Sequence, residues 1–199
     1  MTTETHALNR PDWFTAEMPP GYRNRLEELR RLSRELDELG HFGRLLCDTG
    51  DELCDAVRQS LAALEFDVTT GSRPSSIVVK LESGRRLLIH VSASDQVVQR
   101  RSPDLANVFQ VLHEDAANGD RVVLVANHKP NTRPADRGDG VDGEALGLLK
   151  RLGANYVAGA TIFALWSLSL QDRARARDMI DRLYMQDGGV FVLPVPVGV

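Results

Sequence analysis

The chain has 199 residues, of which 42% are apolar and 26% are charged, and its formal net charge is −4. This size and composition fit one globular domain with an appendage. The acidic balance excludes a general electrostatic attraction to phosphates, so nucleic-acid binding would require a local basic patch.

The sequence shows no sign of a membrane or secreted protein. No apolar run reaches the roughly 20 residues of a membrane span, and the N-terminus lacks a basic segment followed by an apolar one. The two cysteines, Cys47 and Cys54, lack the spacing of a metal site and are expected to be reduced thiols. We therefore expect a cytoplasmic protein with no membrane partner.

The N-terminal part of the chain is predicted to be an arm followed by a helix. Residues 1–22 contain three prolines and no sustained periodicity, which predicts a flexible arm. Residues 23–40 predict an amphipathic helix that ends at Gly40, a residue typical of helix C-termini. Its narrow seam resembles two coiled-coil heptads, so the helix packs either on its own domain or on a second copy. The seam consists of Leu26, Leu29, Leu32, Leu36 and Leu39.

Residues 41–199 are predicted to form one α/β domain with a central mixed sheet, because helical and strand patterns alternate along them. A helix at 48–66 precedes three strands, "FDVTT", "SSIVVKLE" and "RRLLIHVSA". A helix at 102–119, a buried strand at 121–127, a long loop at 128–143 and a short helix at 144–152 come next. The chain then continues with a strand "NYVAG", one long helix from about Thr161 to Tyr184 and a last strand "GVFVLPV".

This order of elements resembles the core of the restriction-endonuclease-like (PD-(D/E)XK nuclease) superfamily over about residues 43–193. Three stretches carry the resemblance: "ELCDAVRQSLAALEFDV", "VVLVANHKPNTRPADR" and "EALGLLKRLGANYVAGATIFAL". The resemblance implies a three-layer core, with a mixed sheet between helices. It also implies a site where a carboxylate on the second strand and a carboxylate-x-lysine on the third bind Mg²⁺ and assist the attacking water.

The chain lacks these catalytic residue types. The first carboxylate falls at Ser75 or Ser76, and the carboxylate and lysine of the third strand fall at His90 and Ser92. Serine hydroxyls are poor Mg²⁺ ligands, and imidazole suits transition metals better. The chain therefore resembles a degenerate member, with Ser76, His90 and Ser92 as vestigial positions. Strand alternation places His90 and Ser92 on one face with Leu88.

Three kinds of function stay open. The leading hypothesis is a non-catalytic binding, regulatory or assembly module without a cofactor. Such a module would form a homo-oligomer or bind a protein partner through the 23–40 helix or the sheet edge after Gly188. The second is an enzyme: a hydrolase that uses His90, or a Mg²⁺-dependent nuclease with relocated carboxylates. The relocated carboxylates would be Glu52, Glu65 and Asp67.

The third hypothesis is nucleic-acid binding without cleavage, for which basic residues are available near the presumed cleft. They are Arg100, Arg101, Arg173, Arg175, Arg177 and Arg182. Asn127 and His128 also end a buried strand, where α/β sheets usually present ligand groups. With Lys129, Arg133 and Arg137 they would form a small anion-binding surface. The alternative is a solvated loop whose aspartates cancel this charge.

Overall fold

The computed structural model describes Phe14 and residues 17–193. The predicted N-terminal arm lies for the most part outside the described residues. Contacts divide the chain into two units, with the boundary between His41 and Phe42. Helix α1 (Tyr22–Cys47) supplies the described helical part of the first unit, and its last residues belong to the second.

The second unit alternates helices and strands. After the end of α1 come α2 (Gly50–Ala63), β1 (Asp67–Thr70), β2 (Ser76–Lys80), β3 (Arg86–Val91), α3 (Pro103–Gln110), β4 (Arg121–Ala126), α4 (Gly143–Leu152), β5 (Asn155–Ala158), α5 (Gly159–Ser169), α6 (Arg173–Met185) and β6 (Gly189–Val190). A π-helical turn (Val111–Asp115) extends α3, and a 3₁₀ turn (Pro134–Asp136) interrupts the long loop after β4.

The six strands form one mixed sheet in the order β1-β2-β3-β4-β5-β6. The first three strands pair antiparallel, whereas β3, β4, β5 and β6 run parallel. The predicted α/β fold with a central mixed sheet is confirmed. The restriction-endonuclease-like core stays a prediction.

Helices cover both faces of the sheet, because its central strands are apolar on both faces. Ile89 and Val123 belong to a core cluster that includes residues of α2, α5 and α6. Leu88 and Leu124 belong to a second cluster with residues of α3 and α4. This arrangement is that of a three-layer α/β fold. The predicted alternation of β3 is confirmed, since His90 faces α3 on the same side as Leu88.

The prediction that the first helix ends at Gly40 is wrong, since α1 continues to Cys47. A glycine inside a helix costs only about 1 kcal/mol, which packing of the following residues outweighs. The ring of Phe42 stacks on Trp166 at a centroid distance of 4.2 Å, and Leu45 is fully buried. These contacts hold the last two turns in helical form.

The prediction of one long helix from Thr161 to Tyr184 is also wrong. The backbone turns between Ser169 and Arg173, where the N–H groups of Gln171 and Asp172 both donate to the Leu168 carbonyl. The Asp172 carboxylate then accepts from the Arg175 N–H at 3.0 Å and begins α6 as its N-cap.

The remaining differences are shorter elements. The α-helical part of the predicted 102–119 helix is only α3, followed by its π turn. The predicted last strand is reduced to the two residues of β6, and its end lies outside the described residues. Among the described residues, no helix combines the length and the apolar character needed to cross a bilayer.

Candidate functional site

The structure places the three vestigial positions close together. Ser76 pairs with His90 across β2 and β3, and Ser92 follows β3 directly. All three side chains are buried. A cleft of about 480 Å³ opens beside His90 and is lined from α3 by Asp104 and Asn107. We call this opening, together with the predicted vestigial positions Ser76 and Ser92 next to its lining residues, the vestigial cleft.

Both serine hydroxyls of the vestigial cleft serve the local backbone. The Ser76 hydroxyl donates to the Arg73 carbonyl at 2.6 Å and accepts from the Arg73 N–H at 3.1 Å. The Ser92 hydroxyl accepts from the Ser94 N–H at 3.0 Å. These bonds close the turns that precede β2 and follow β3. Neither hydroxyl is paired with an imidazole that would activate it as a nucleophile.

His90 lies between the sheet and α3. The Asn107 amide donates to its Nε2 at 3.1 Å, and an Asp104 carboxylate oxygen lies 3.7 Å from the same nitrogen. An amide donor at Nε2 requires a neutral imidazole to carry its proton on Nδ1. This Nδ1 is buried without a hydrogen-bond partner among the described residues. Two engaged hydroxyls, one imidazole and the single carboxylate of Asp104 do not fit Mg²⁺, which prefers several oxygen ligands.

The relocated carboxylates do not converge. Glu52 is in the first turn of α2 and Glu65 follows its last turn, so the helix, roughly 20 Å long at 1.5 Å per residue, separates them. Glu65 pairs with Arg173, and Asp67 pairs with Lys80 at 3.3 Å. In the part of the chain that the structure describes, no three His, Cys, Asp or Glu side chains are placed to hold a metal ion.

Carboxylates occupy much of the predicted basic surface. Arg100 and Arg101 are exposed, and Arg100 lies 3.8 Å from Glu144. On α6, Arg177 bonds to Glu82 at 2.6 Å, and its guanidinium lies over the Phe66 ring. Arg182 bonds to Asp178 at 3.0 Å. Arg177 therefore joins α6 to neighbouring segments, whereas the ion pair of Arg182 lies within α6 itself.

A second cavity lies at the carboxyl ends of β4, β5 and β6, and we call it the strand-end cavity. Its volume is about 310 Å³. Asn127 and His128 form part of its wall, as expected for residues at the end of a buried parallel strand. Lys129 and Arg133 are exposed and do not line it. The predicted anion-binding surface is thus divided, and binding by any of its residues stays a prediction.

Arg137 lies in the wall of this cavity with Asn127 and His128, whereas the alternative of a solvated loop would have exposed it. Its side chain is only 6% exposed, and burial lowers its pKa. Its guanidinium donates to main-chain carbonyls of Thr132 at 2.8 Å, Pro130 at 3.2 Å and Leu46. Within the described residues no carboxylate forms an ion pair with it.

Asn127 and Arg137 together cap the end of α1. The Asn127 amide donates to the Leu45 and Asp48 carbonyls, each at 2.9 Å, and Arg137 reaches the Leu46 carbonyl. The last carbonyls of a helix have no partner within it, so these side chains satisfy them. His128 is also held, since its Nε2 lies 3.0 Å from the Arg137 carbonyl.

Sequence reasoning missed Tyr156, a buried residue of β5 in the wall of the strand-end cavity. Its hydroxyl is buried and has no hydrogen-bond partner among the described residues. Burial raises its pKa to about 12. The available signal was a large aromatic residue among the smaller residues of the segment "NYVAG", directly before a helix N-terminus.

Two regions of the second unit therefore combine concave shape with buried polar groups: the vestigial cleft and the strand-end cavity. The chain matches no family model, no curated protein and no solved structure. The resemblance to restriction-endonuclease-like nucleases consequently stays a prediction, and what it implies for function is a proposal.

Proposed function

We propose that the chain is a non-catalytic assembly module on a restriction-endonuclease-like core, and that it self-associates through α1. The observation that carries this proposal is the exposed part of the leucine seam of α1, which consists of Leu29, Leu32, Leu36 and Leu39. These side chains are 50%, 44%, 69% and 52% exposed, respectively. A contiguous apolar stripe on a surface helix is typical of an interaction site.

The spacing of the seam fits pairing between helices. Its leucines recur at intervals of three, four and three residues, which are the a and d positions of two heptads. Each leucine fully removed from water contributes about 1.5 kcal/mol or more. The burial of four leucines per helix offsets the roughly 4–15 kcal/mol that association costs in lost translational and rotational freedom. The two terms are similar in size, so we expect a reversible dimer whose population depends on protein concentration.

The charges of α1 favour a second copy in antiparallel orientation. Residues 22–34 contain five arginines and two glutamates, whereas residues 35–39 contain three acidic residues and no basic one. A parallel pair would place like charges side by side. An antiparallel pair places the basic half of each helix against the acidic half of the other. A second copy of this chain in antiparallel orientation therefore covers the leucine seam and pairs the charges beside it with opposite charges.

The vestigial cleft supports the non-catalytic part of the proposal. Its two serine hydroxyls bond to neighbouring backbone, and its imidazole accepts from an asparagine amide. Outside the cleft, Glu65 and Asp67 are paired with cations. Hydrolysis of a phosphodiester by a Mg²⁺ nuclease requires carboxylates that share an ion, and these residues do not provide that arrangement.

Sedimentation velocity over a range of protein concentrations tests the self-association. We expect the wild-type chain to shift from monomer to dimer, and Leu36→Glu to remain monomeric with an unchanged circular dichroism spectrum. Leu170→Glu is the matched control, because Leu170 is 64% exposed outside the seam. A wild-type chain that stays monomeric, or a Leu36→Glu variant that still dimerises, would refute the proposal.

Cysteine cross-linking tests the antiparallel orientation. Leu29 and Leu39 lie at opposite ends of the seam, so an antiparallel pair brings residue 29 of one copy near residue 39 of the other. In a Cys47→Ser background, Leu29→Cys mixed with Leu39→Cys should form disulfide-linked dimers, whereas Leu29→Cys alone should not. Efficient cross-linking of Leu29→Cys alone would show a parallel pair.

A further inference from the structure

The strand-end cavity contains a polar group that nothing in the described chain satisfies. Tyr156 is 2% exposed, and its hydroxyl is buried without a donor or acceptor partner among the described residues. Buried hydroxyls normally find a partner, because leaving one unpaired loses the hydrogen bonds it makes in water. Since Tyr156 lines the cavity, a molecule inside it is the available partner.

The Tyr156 hydroxyl packs against Gly140, which also lines the cavity and leaves room for it because it has no side chain. A Cβ atom on Gly140 would lie 1.9 Å from the Tyr156 Oη and 2.8 Å from the His128 Nδ1. Any other residue at this position would therefore collide with the tyrosine. The hydroxyl and the imidazole thus approach the same small volume in the wall of the cavity.

Helix α5 directs its N-terminus to the same cavity. It begins at Gly159, directly after β5. Its N-cap residue, Ala158, has no side-chain acceptor for the first N–H groups of the helix. Ala158, Ala160 and Thr161 all line the cavity. The first N–H groups of a helix have no intrahelical acceptor and carry partial positive charge, which favours an anion.

The positive charge in the cavity wall also favours an anion. Arg137 contributes a buried guanidinium whose partners are uncharged oxygen atoms, so its positive charge is not neutralised by an ion pair with the described residues. Asp139 also lines the cavity, but its side chain is exposed. The wall also has apolar parts, which include Leu146 and Phe191.

We propose that the strand-end cavity binds a small organic anion. Its carboxylate or phosphate head group accepts from the Tyr156 hydroxyl and from the first N–H groups of α5. Its apolar body packs against Leu146 and Phe191. The hydroxyl is protonated at neutral pH, as tyrosine hydroxyls ordinarily are, and is present as a donor; burial raises its pKa further, to about 12. This site is separate from the α1 seam and does not depend on self-association.

Isothermal titration calorimetry of the full chain with benzoate, phenyl phosphate and benzyl alcohol tests the site. We expect at least one of the two anions to bind, and the neutral alcohol to bind more weakly. The tighter of the two anions identifies the head group. Binding of neither anion, or equally tight binding of benzyl alcohol, would overturn the proposal.

Tyr156→Phe removes the hydroxyl and keeps the ring. Because that hydroxyl has no protein partner, the variant should fold with an unchanged circular dichroism spectrum and melt no lower than the wild type. We expect it to bind the anion about tenfold or more weakly, as for the loss of a hydrogen bond to a charged group. Undiminished binding by this variant would contradict the role of the hydroxyl.

Tyr184→Phe is the matched control, because Tyr184 is also buried but donates its hydroxyl proton to the Gly119 carbonyl. It should keep the wild-type affinity. As a second readout, the amide resonances of Gly159, Ala160 and Thr161 should shift when the anion is added in a two-dimensional NMR titration. Shifts confined to other parts of the chain would place the anion elsewhere and overturn the proposal.

Discussion

At the scale of single residues, Tyr156 gives the molecule a measurable response to alkaline pH. Burial raises its pKa to about 12, whereas a tyrosine in an unfolded chain titrates near 10. Below about pH 10 both states keep the proton and the contribution of Tyr156 to stability is complete. Between about pH 10 and 12 the unfolded chain loses the proton first, so the free energy of unfolding falls as pH rises.

We predict that Tyr156 accounts for a loss of about 2 to 3 kcal/mol in the free energy of unfolding across this range. Urea unfolding of the wild type and Tyr156→Phe at several pH values from 9 to 12 measures it. The other titrating groups are common to both proteins, so the difference between the two curves isolates Tyr156. A difference that does not change with pH would show that the hydroxyl titrates normally.

Arg137 shows why residue type alone did not reveal the wall of the strand-end cavity. An arginine in a loop with three aspartates suggests a solvated charge. The structure instead buries it, because one side chain donates to carbonyl groups of Thr132, Pro130 and Leu46. Planar guanidinium groups suit several acceptors at once, which makes arginine fit this position better than lysine.

At the scale of secondary-structure elements, α1 is notable because it passes through a glycine. Gly40 has helical φ, and a Cβ atom there would meet no other atom within 4 Å. Gly153, in contrast, ends α4 in the left-handed conformation at φ 64°. The two glycines therefore have opposite roles in their helices.

Alanine substitutions distinguish these roles. We predict that Gly40→Ala increases helix content by circular dichroism and stabilises α1 by about 0.8–1 kcal/mol, since alanine is the better helix former. Gly153→Ala should instead destabilise the domain, because a side chain is strained at positive φ. Hydrogen exchange of amides in each helix measures the local change. Destabilisation of α1 by Gly40→Ala would indicate that the helix ends there.

The strands were easier to predict than the helix ends, for physical reasons. β-branched and aliphatic runs such as the one in β4 are recognisable alone, and the alternation of Leu88 and His90 follows from the geometry of any strand. The end of α1 depends on Phe42 stacking on Trp166, a contact between residues far apart in sequence. The break before α6 depends on a single Asp172 cap inside a continuous helical pattern.

At the scale of the whole molecule, the degenerate nuclease hypothesis makes a direct prediction. We expect no cleavage of double-stranded DNA or of RNA by the purified chain with Mg²⁺ or Mn²⁺, because no three His, Cys, Asp or Glu side chains among the described residues are placed to hold a metal ion. A gel assay beside an active Mg²⁺-dependent nuclease measures this. Metal-dependent cleavage that is lost in Glu52→Gln, Glu65→Gln or Asp67→Asn would instead show that catalysis has moved.

The positions of the candidate sites were only partly visible in the sequence. The third strand and the end of β4 were identified as site-bearing segments, since their place in the order of elements determines where they meet in the sheet. Arg137 was predicted to share a surface with Asn127 and His128. Tyr156 was not assigned a place there, because it meets Arg137 only after the loop following β4 folds back beside β5. Their relation depends on tertiary contacts that no local pattern encodes.

The cap of α1 also affects the order in which parts of the chain can fold during synthesis. The Leu45 carbonyl is satisfied by Asn127, 82 residues further along, and the Leu46 carbonyl by Arg137, 91 residues further along. Synthesis proceeds from the N-terminus, so the last turn of α1 leaves the ribosome well before its partners exist. Until β4 and the following loop are made, water must satisfy these carbonyls, and the last turn of α1 is capped only late in synthesis.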